Sequence, residues 1–213
     1  MLIPFGNIYI KYKMNVRGIL HIGAHHCEEL GAYMQYGVPK NKIIWIEANP
    51  DLVNLIKNRD PDIIIKNYLI TDKDQQNYEF KITNNGQSSS IFDFGTHSHF
   101  YPMITFIDTK KLTSSRIDTI YREENIPENF ANFLNIDIQG AELLALKSMD
   151  NILSNFDYLY LEVNKDHVYK NCCLVEEIDN YVQKYNFKRV ETKWNLNHGW
   201  GDALYIKTQP IFW

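Results

Sequence analysis

Short runs of apolar, often β-branched residues recur along the chain and alternate with stretches in which apolar residues return every three or four positions. The runs mark buried strands and the spaced positions mark helix faces, so their alternation describes βαβ units on a largely parallel sheet. Strands are expected at residues 19–22, 43–47, 63–66, 133–137, 158–163, 187–192 and 203–207. Between them, residues 28–36 place Leu30, Tyr33 and Met34 on one helical face, and Leu52, Val53, Leu55 and Ile56 do the same after Pro50. Residues 141–149 predict a third helix and 174–185 a fourth, with Val175, Ile178, Tyr181 and Val182 inward. Seven strands interleaved with helices predict one doubly wound α/β domain over residues 1–213.

The pattern breaks between residues 72 and 115. A strand is expected at 78–82, ending in the turn Asn84-Asn85-Gly86, and an irregular polar stretch, SSSIFDFGTHSHFYP, follows. Long irregular segments in compact domains tend to be lids or binding loops, so this insertion is read as shaping a substrate pocket. A solvated connector is the alternative.

Composition narrows the field. With 45% apolar and 23% charged residues in 213, the chain is that of an ordinary soluble globular protein. A net charge of -4, with no basic run longer than Lys110-Lys111, argues against nucleic acid as partner. The N-terminal MLIPFGNIYIKYKM has no signal-peptide pattern, and no apolar stretch has membrane-spanning length, so a cytoplasmic protein without membrane contact is expected. Cys27, Cys172 and Cys173 form neither a disulfide framework nor a zinc spacing and are read as reduced thiols. No sequence feature points to an oligomeric state.

In an open α/β sheet, ligands bind beyond the carboxyl ends of the strands. Gly23 and Ala24, in the bend after the first strand, have minimal side chains, and the bend's amides are expected to face a ligand. Glu47 ends the second strand, about 20 residues on, where a carboxylate suits the two hydroxyls of a ribose. The bend lacks the three glycines of a dinucleotide site and shows no basic partner for phosphates. S-adenosylmethionine, with a ribose and no phosphate, therefore suits it better than NAD. His25 and His26 are sequence neighbours that diverge by about 100° on a helix, which argues against a shared metal.

The segments HIGAHHCEE, IIWIEANPDL, NNGQSSSI, RIDTI, FLNIDIQGAELLAL and LYLEV follow one another in this order. Through them, over roughly residues 17–207, the chain resembles the FkbM family of S-adenosylmethionine-dependent methyltransferases. The resemblance implies a Rossmann-like class I methyltransferase fold, a seven-stranded mostly parallel sheet with helices on both faces. It also implies that Gly23, Ala24 and His25 sit by the methionine end of the cofactor and that Glu47 holds the ribose. Ala48 and Asn49 would flank the adenine, with Tyr68 and Leu69 closing its other side. The chain departs from the family pattern at His21, usually Asp, at His25, usually Asn, at Cys27, commonly Gly, and at Asn135, usually Lys.

Methyl transfer from a sulfonium is an in-line displacement, so the protein must align the nucleophile and, for a hydroxyl, remove its proton. Asp137, at the end of the fourth strand, is the best-placed carboxylate, with Glu162 and His198 as further catalytic candidates. Asp137, Glu162 and Asn164 are also the candidates for a divalent cation that would bind vicinal hydroxyls; a purely orienting role is the alternative. Glu142 reads equally as a helix-start residue or a functional one. Ser88, Ser89, Ser90, His97 and His99 in the insertion are candidates for acceptor binding, and Trp194 and Trp200 for a sugar platform or a sheet cover. The expected reaction is O-methylation of a small sugar-like acceptor: a sugar, a nucleotide sugar or a glycan precursor. Two alternatives share the fold: an NAD-dependent sugar oxidoreductase, against which there is no Tyr-x-x-x-Lys pair, and a non-catalytic binding module.

Overall fold

The computed structural model describes residues 1–196 and 198–208. In chain order its main elements are α1 (Phe5–Lys11), β1 (Ile19–Ile22), α2 (Leu30–Gln35), β2 (Ile43–Glu47), α3 (Pro50–Arg59), β3 (Ile64–Asn67), β4 (Leu69–Ile70), β5 (Asn77–Thr83), α4 (His97–Phe100), β6 (Phe106–Ser115), α5 (Ile117–Glu123), β7 (Phe133–Ile136), α6 (Glu142–Lys147), β8 (Tyr158–Asn164), α7 (Val175–Val182), β9 (Phe187–Trp194) and β10 (Trp200–Lys207). Seven strands form the main sheet in the order β3-β2-β1-β7-β8-β10-β9. The first five are parallel, while β10 runs antiparallel to both β8 and β9. Chain order reverses between β1 and β7, and a cleft at the carboxyl ends of these two strands is where such sheets bind ligands.

Every residue of β1, β2 and β7 is buried, because helices cover both faces of the sheet. Leu20, Ile22, Ile44, Ile46, Leu134 and Ile136 face one layer, where they pack with residues of α5, α6 and α7. Ile19, Ile43, Trp45 and Phe133 face the other, against residues of α1, α2 and α3. Asn49 caps α3 by accepting from the Asp51 N–H at 3.1 Å, and Pro50 supplies the preset first turn.

The expected main-sheet strands all form, with small shifts at their ends. Two differences matter for the site. Residues 28–36 do not form a helix throughout: α2 starts at Leu30, after a turn through Glu28 and Glu29 that follows the left-handed backbone of His25 (φ 43°) and Cys27 (φ 59°). The insertion is also more ordered than expected. β6 pairs antiparallel with β5 and parallel with β4 in a second, three-stranded sheet, leaving the irregular part to residues between β5 and β6. Most of β6 is exposed, so no apolar face announced it. All three cysteines are free and buried, and among the described residues no helix is long and apolar enough to cross a membrane.

Candidate active site

At the end of β1 the chain turns through Gly23 at φ 91°, where a Cβ would stand 1.8 Å from the Asp137 carbonyl oxygen. Only glycine lets the β1 bend and the end of β7 approach this closely. The bend folds back over β2, and this corrects the expectation for its amides. The N–H groups of Gly23 and Ala24 donate to the Ile46 carbonyl at 2.9 and 3.0 Å, and that of His25 donates to Glu47 Oε2 at 2.9 Å. These donors are therefore satisfied by β2 rather than held open for a ligand. Glu47 Oε1 accepts from the Asn49 N–H at 2.8 Å, so one carboxylate ties the two bends together. A carboxylate offers about four lone-pair positions, which leaves about two for another donor. Burial raises the Glu47 pKa, against the lowering effect of these N–H groups.

Glu47 lines a narrow slot with Ala48, Asn49, Tyr68, Leu69, Phe80, Ile91 and Ser89. The slot shares Gly23, His25, Gln87, Asp137 and Gln139 with a larger cavity of about 440 Å³, so the two form one continuous groove. No lysine or arginine stands among the lining residues of either. His25 lies at the junction, its Nδ1 2.6 Å from Glu28 Oε1, a contact that raises its pKa.

Asp137 sits on the floor of this groove. Its surface is open, but protein surrounds it on the groove floor, and that desolvation pushes its pKa up to about 6. Glu162, buried beside it, is raised well above the usual carboxylate range by burial and by the Asp137 charge. Of the pair, Asp137 is therefore the carboxyl that gives up its proton more readily. The Gln139 amide Nε2 donates to both, 2.6 Å to Asp137 Oδ1 and 2.9 Å to Glu162 Oε2. Its orientation is set from behind, because the Tyr169 hydroxyl donates to Gln139 Oε1 at 2.6 Å. Gln139 itself sits at φ 56°, and its carbonyl accepts from the Ser90 hydroxyl at 2.8 Å. Glu142 organises the same bend: its Oε1 accepts from the Ile138 and Gly140 N–H groups, both at 3.0 Å, and full burial pushes its pKa up to about 7.

The expected acceptor residues divide. Ser88 and His97 line the large cavity, Ser89 the slot, and Ser90 neither, its hydroxyl being spent on Gln139. His99 is exposed and lines neither cavity, because α4 turns it to the outside. His198 also lies outside both; it bonds the Tyr101 hydroxyl, which does reach the cavity wall. Trp200 lines the cavity, whereas Trp194 packs on the core. The sequence reading passed over Gln139, Tyr169 and Asp202. Asp202 had a signal, an acid inside the apolar strand GDALYI, but the strand was started one residue too late to include it.

The model of the methyltransferase FkbM domain family matches residues 21–189. The chain belongs to this family. Among solved structures, magnesium protoporphyrin IX methyltransferase (ChlM) from Synechocystis PCC 6803 with bound SAH superposes on this FkbM domain with a TM-score of 0.53 at 5% identity, covering 95% of this chain and 80% of that one. A TehB-like SAM-dependent methyltransferase from Corynebacterium glutamicum gives a TM-score of 0.47 at 8% identity, over 93% of this chain and 85% of that one. The fold is that of the class I methyltransferases. No match was found among curated proteins.

Two of this FkbM domain's departures from the family pattern are partners. His21 and Asn135 face each other across β1 and β7, and both bond the buried Tyr33 hydroxyl, at 3.1 and 2.8 Å. Burial lowers the His21 pKa to about 4, so a neutral network stands where the family pattern has an acid and a base. The residues do not fit a divalent cation. The Gln139 amide donates to both carboxyls, and Asn164 is fully buried and lines neither cavity. Among the described residues no group of three or more His, Cys, Asp or Glu side chains is arranged to hold a metal.

Proposed function

We propose that this domain transfers the methyl group of S-adenosylmethionine to a hydroxyl of a small sugar-like acceptor. The observation that carries the reading is the continuous groove, with a ribose-suited carboxylate in its slot and Asp137 where slot and cavity meet. Glu47 would accept from the ribose hydroxyls with its remaining lone pairs, and Tyr68, Leu69, Phe80 and Ile91 give the adenine an apolar slot. The absence of lysine and arginine from the lining suits a cofactor without phosphates and disfavours the pyrophosphate of NAD. When bound, S-adenosylmethionine supplies an electrophilic methyl on a sulfonium, whose breaking S–C bond leaves its electron pair on sulfur.

Asp137 does the proton work. It is ionised at neutral pH and accepts the proton of the acceptor hydroxyl as the new C–O bond forms. Glu162, the harder of the two to ionise, keeps the pair from readily carrying two charges. Gln139 and Tyr169 orient both carboxyls.

Calorimetric titration with S-adenosylhomocysteine and with NADH tests the cofactor, and S-adenosylhomocysteine release with a panel of sugars tests the reaction. Binding of the adenosyl ligand without NADH, and release abolished by Asp137→Asn, are expected. NADH binding without adenosyl binding refutes the reading.

A further inference from the structure

Every backbone N–H of the β1 bend, residues 23–27, is engaged within the protein. Those of Gly23 and Ala24 donate to the Ile46 carbonyl, that of His25 to Glu47 Oε2, that of His26 to Glu28 Oε2 at 3.1 Å and that of Cys27 to the Ala24 carbonyl at 2.7 Å. S-adenosylmethionine brings two cations, its ammonium and its sulfonium, and one anion, its carboxylate. The acids that line the large cavity, among them Glu29, Asp137 and Asp202, answer the cations. The carboxylate finds neither a bend amide nor a lysine or arginine in the lining.

Two other cationic groups reach the groove. The Met1 amine lines the large cavity only, 3.5 Å from Glu29 Oε1, and Glu29, Asp202 and Asp137 already face it. His25 lines both the slot and the cavity. With a ribose held on Glu47 in the slot and the reacting sulfur beside Asp137, the methionine tail crosses the junction that His25 occupies.

The His25 ring is oriented for this role. Its Nδ1 lies 2.6 Å from Glu28 Oε1. Against the raising effect of burial, contacts with His25 and with backbone N–H groups hold the Glu28 carboxyl down at about 2, so it is an acceptor and Nδ1 carries the hydrogen. The proton that charges the ring therefore goes on Nε2. This atom has no hydrogen-bond partner among the described residues and, unlike His97 Nδ1, is not buried. Gly86, at φ 73°, lies beside it: a Cβ there would stand 3.1 Å from Nε2, so the turn after β5 passes without a side chain to cover it.

The charged groups facing the ring are Glu28 on the same bend, Glu47 on β2 and Asp137 after β7; the bond to Glu28 favours the imidazolium most, and burial opposes it. His26 packs edge-on with ring centroids 4.3 Å apart, and Arg59 of α3 donates to the His26 carbonyl at 2.8 Å. The turn after β5 adds only the uncharged Asn85, Gly86 and Gln87.

We propose that the His25 imidazolium, through Nε2, is the counter-ion of the cofactor's methionine carboxylate, so that cofactor binding is coupled to protonation of this ring. The interaction is full below the ordinary histidine value of 6.5 and is lost as pH rises through the raised value in the folded protein. The role is particular to this chain, because the family pattern has an uncharged Asn at this position. It rests on the methyl-transfer reading, which puts the cofactor in the slot.

The test is calorimetry on the full chain at about pH 6 and about pH 9, either side of the histidine range, with S-adenosylhomocysteine and with 5′-methylthioadenosine, which shares the adenosine and thioether and lacks the amino acid. His25→Asn keeps a neutral donor and suits the φ of 43°. It should weaken S-adenosylhomocysteine about tenfold at the lower pH, the change that one charge-assisted hydrogen bond supplies, and not at the higher, while 5′-methylthioadenosine binds both proteins alike. Titration of the ligand's own amine, of Asp137 and of the Met1 amine is common to both proteins and cancels in the comparison. Glu28→Gln should move the loss of affinity to lower pH, which a merely structural histidine would not do. Should a variant not fold, NMR of the wild-type ring decides: S-adenosylhomocysteine should raise the pH at which His25 titrates, and 5′-methylthioadenosine should not. A loss in His25→Asn that is equal at both pH values or for both ligands, or a His25 titration that S-adenosylhomocysteine leaves unmoved, overturns the inference while leaving methyl transfer standing. Failure of both ligands to bind the wild type overturns both.

Discussion

Replacing Glu47 by glutamine separates what its shape does from what its charge does. The carboxylate accepts the His25 N–H at 2.9 Å on one oxygen and the Asn49 N–H at 2.8 Å on the other. A glutamine amide has one acceptor oxygen, so one of these N–H groups would face an NH₂. Losing a hydrogen bond to a charged group costs about 1.5–3 kcal/mol, and at 7% exposure little water can replace it. The bend that forms the groove wall would loosen by that amount, and a ribose hydroxyl would lose its charged acceptor. Affinity for S-adenosylhomocysteine should fall about 10- to 150-fold. The same loss should lower the melting temperature by about 3–12 °C for a chain of this size. Calorimetry reads the first and thermal unfolding the second. Unchanged adenosyl affinity in both Glu47→Gln and Glu47→Ala would refute the role given to this carboxylate, and a lowered melting temperature with unchanged affinity would make it purely structural.

Other consequences follow from the same geometry. Asp137 works ionised, so kcat/KM should fall about tenfold per pH unit below about 6 and level off above it; Glu162→Leu removes a donor that lowers the Asp137 pKa, and should move this limb to higher pH. A limb that stays put excludes the pair as the titrating unit. Glu142, raised to about 7 from an ordinary 4.5, takes up a proton on folding, so its contribution is full below about 4.5 and is lost as pH rises through about 7. Glu142→Gln, which keeps an acceptor for Ile138 and Gly140, should therefore gain on the wild type by about 3 kcal/mol across that window in urea unfolding; a pH-independent difference would contradict the burial argument. Gly23→Ala would press a Cβ on the Asp137 carbonyl oxygen at a positive φ and should cost about 2–4 kcal/mol, seen as a clear drop in melting temperature. An unaffected melting temperature would mean that the β1 and β7 ends are not locked together.

The main sheet was legible in the sequence because runs such as IIWIE and FLNI are buried on both faces, and burial on both faces leaves a continuous apolar stretch that needs no context to be seen. The acids Glu47, Asp137 and Glu162 stood out for the complementary reason: each interrupts or ends such a stretch, where solvation alone does not explain a charge. β6 was illegible, since pairing with β5 satisfies its backbone whatever its mostly exposed side chains are. The state of the bend amides was equally hidden, because whether an N–H faces a ligand or the Ile46 carbonyl depends on how far the bend folds over its neighbour. The couplings that give the site its chemistry join residues far apart in the chain: Tyr169 through Gln139 to Asp137 and Glu162, and Asp202 against Glu162. One-dimensional patterning records which face a residue buries; it carries no information on which side chain from another strand will meet it there, and that meeting sets how readily each carboxyl gives up its proton.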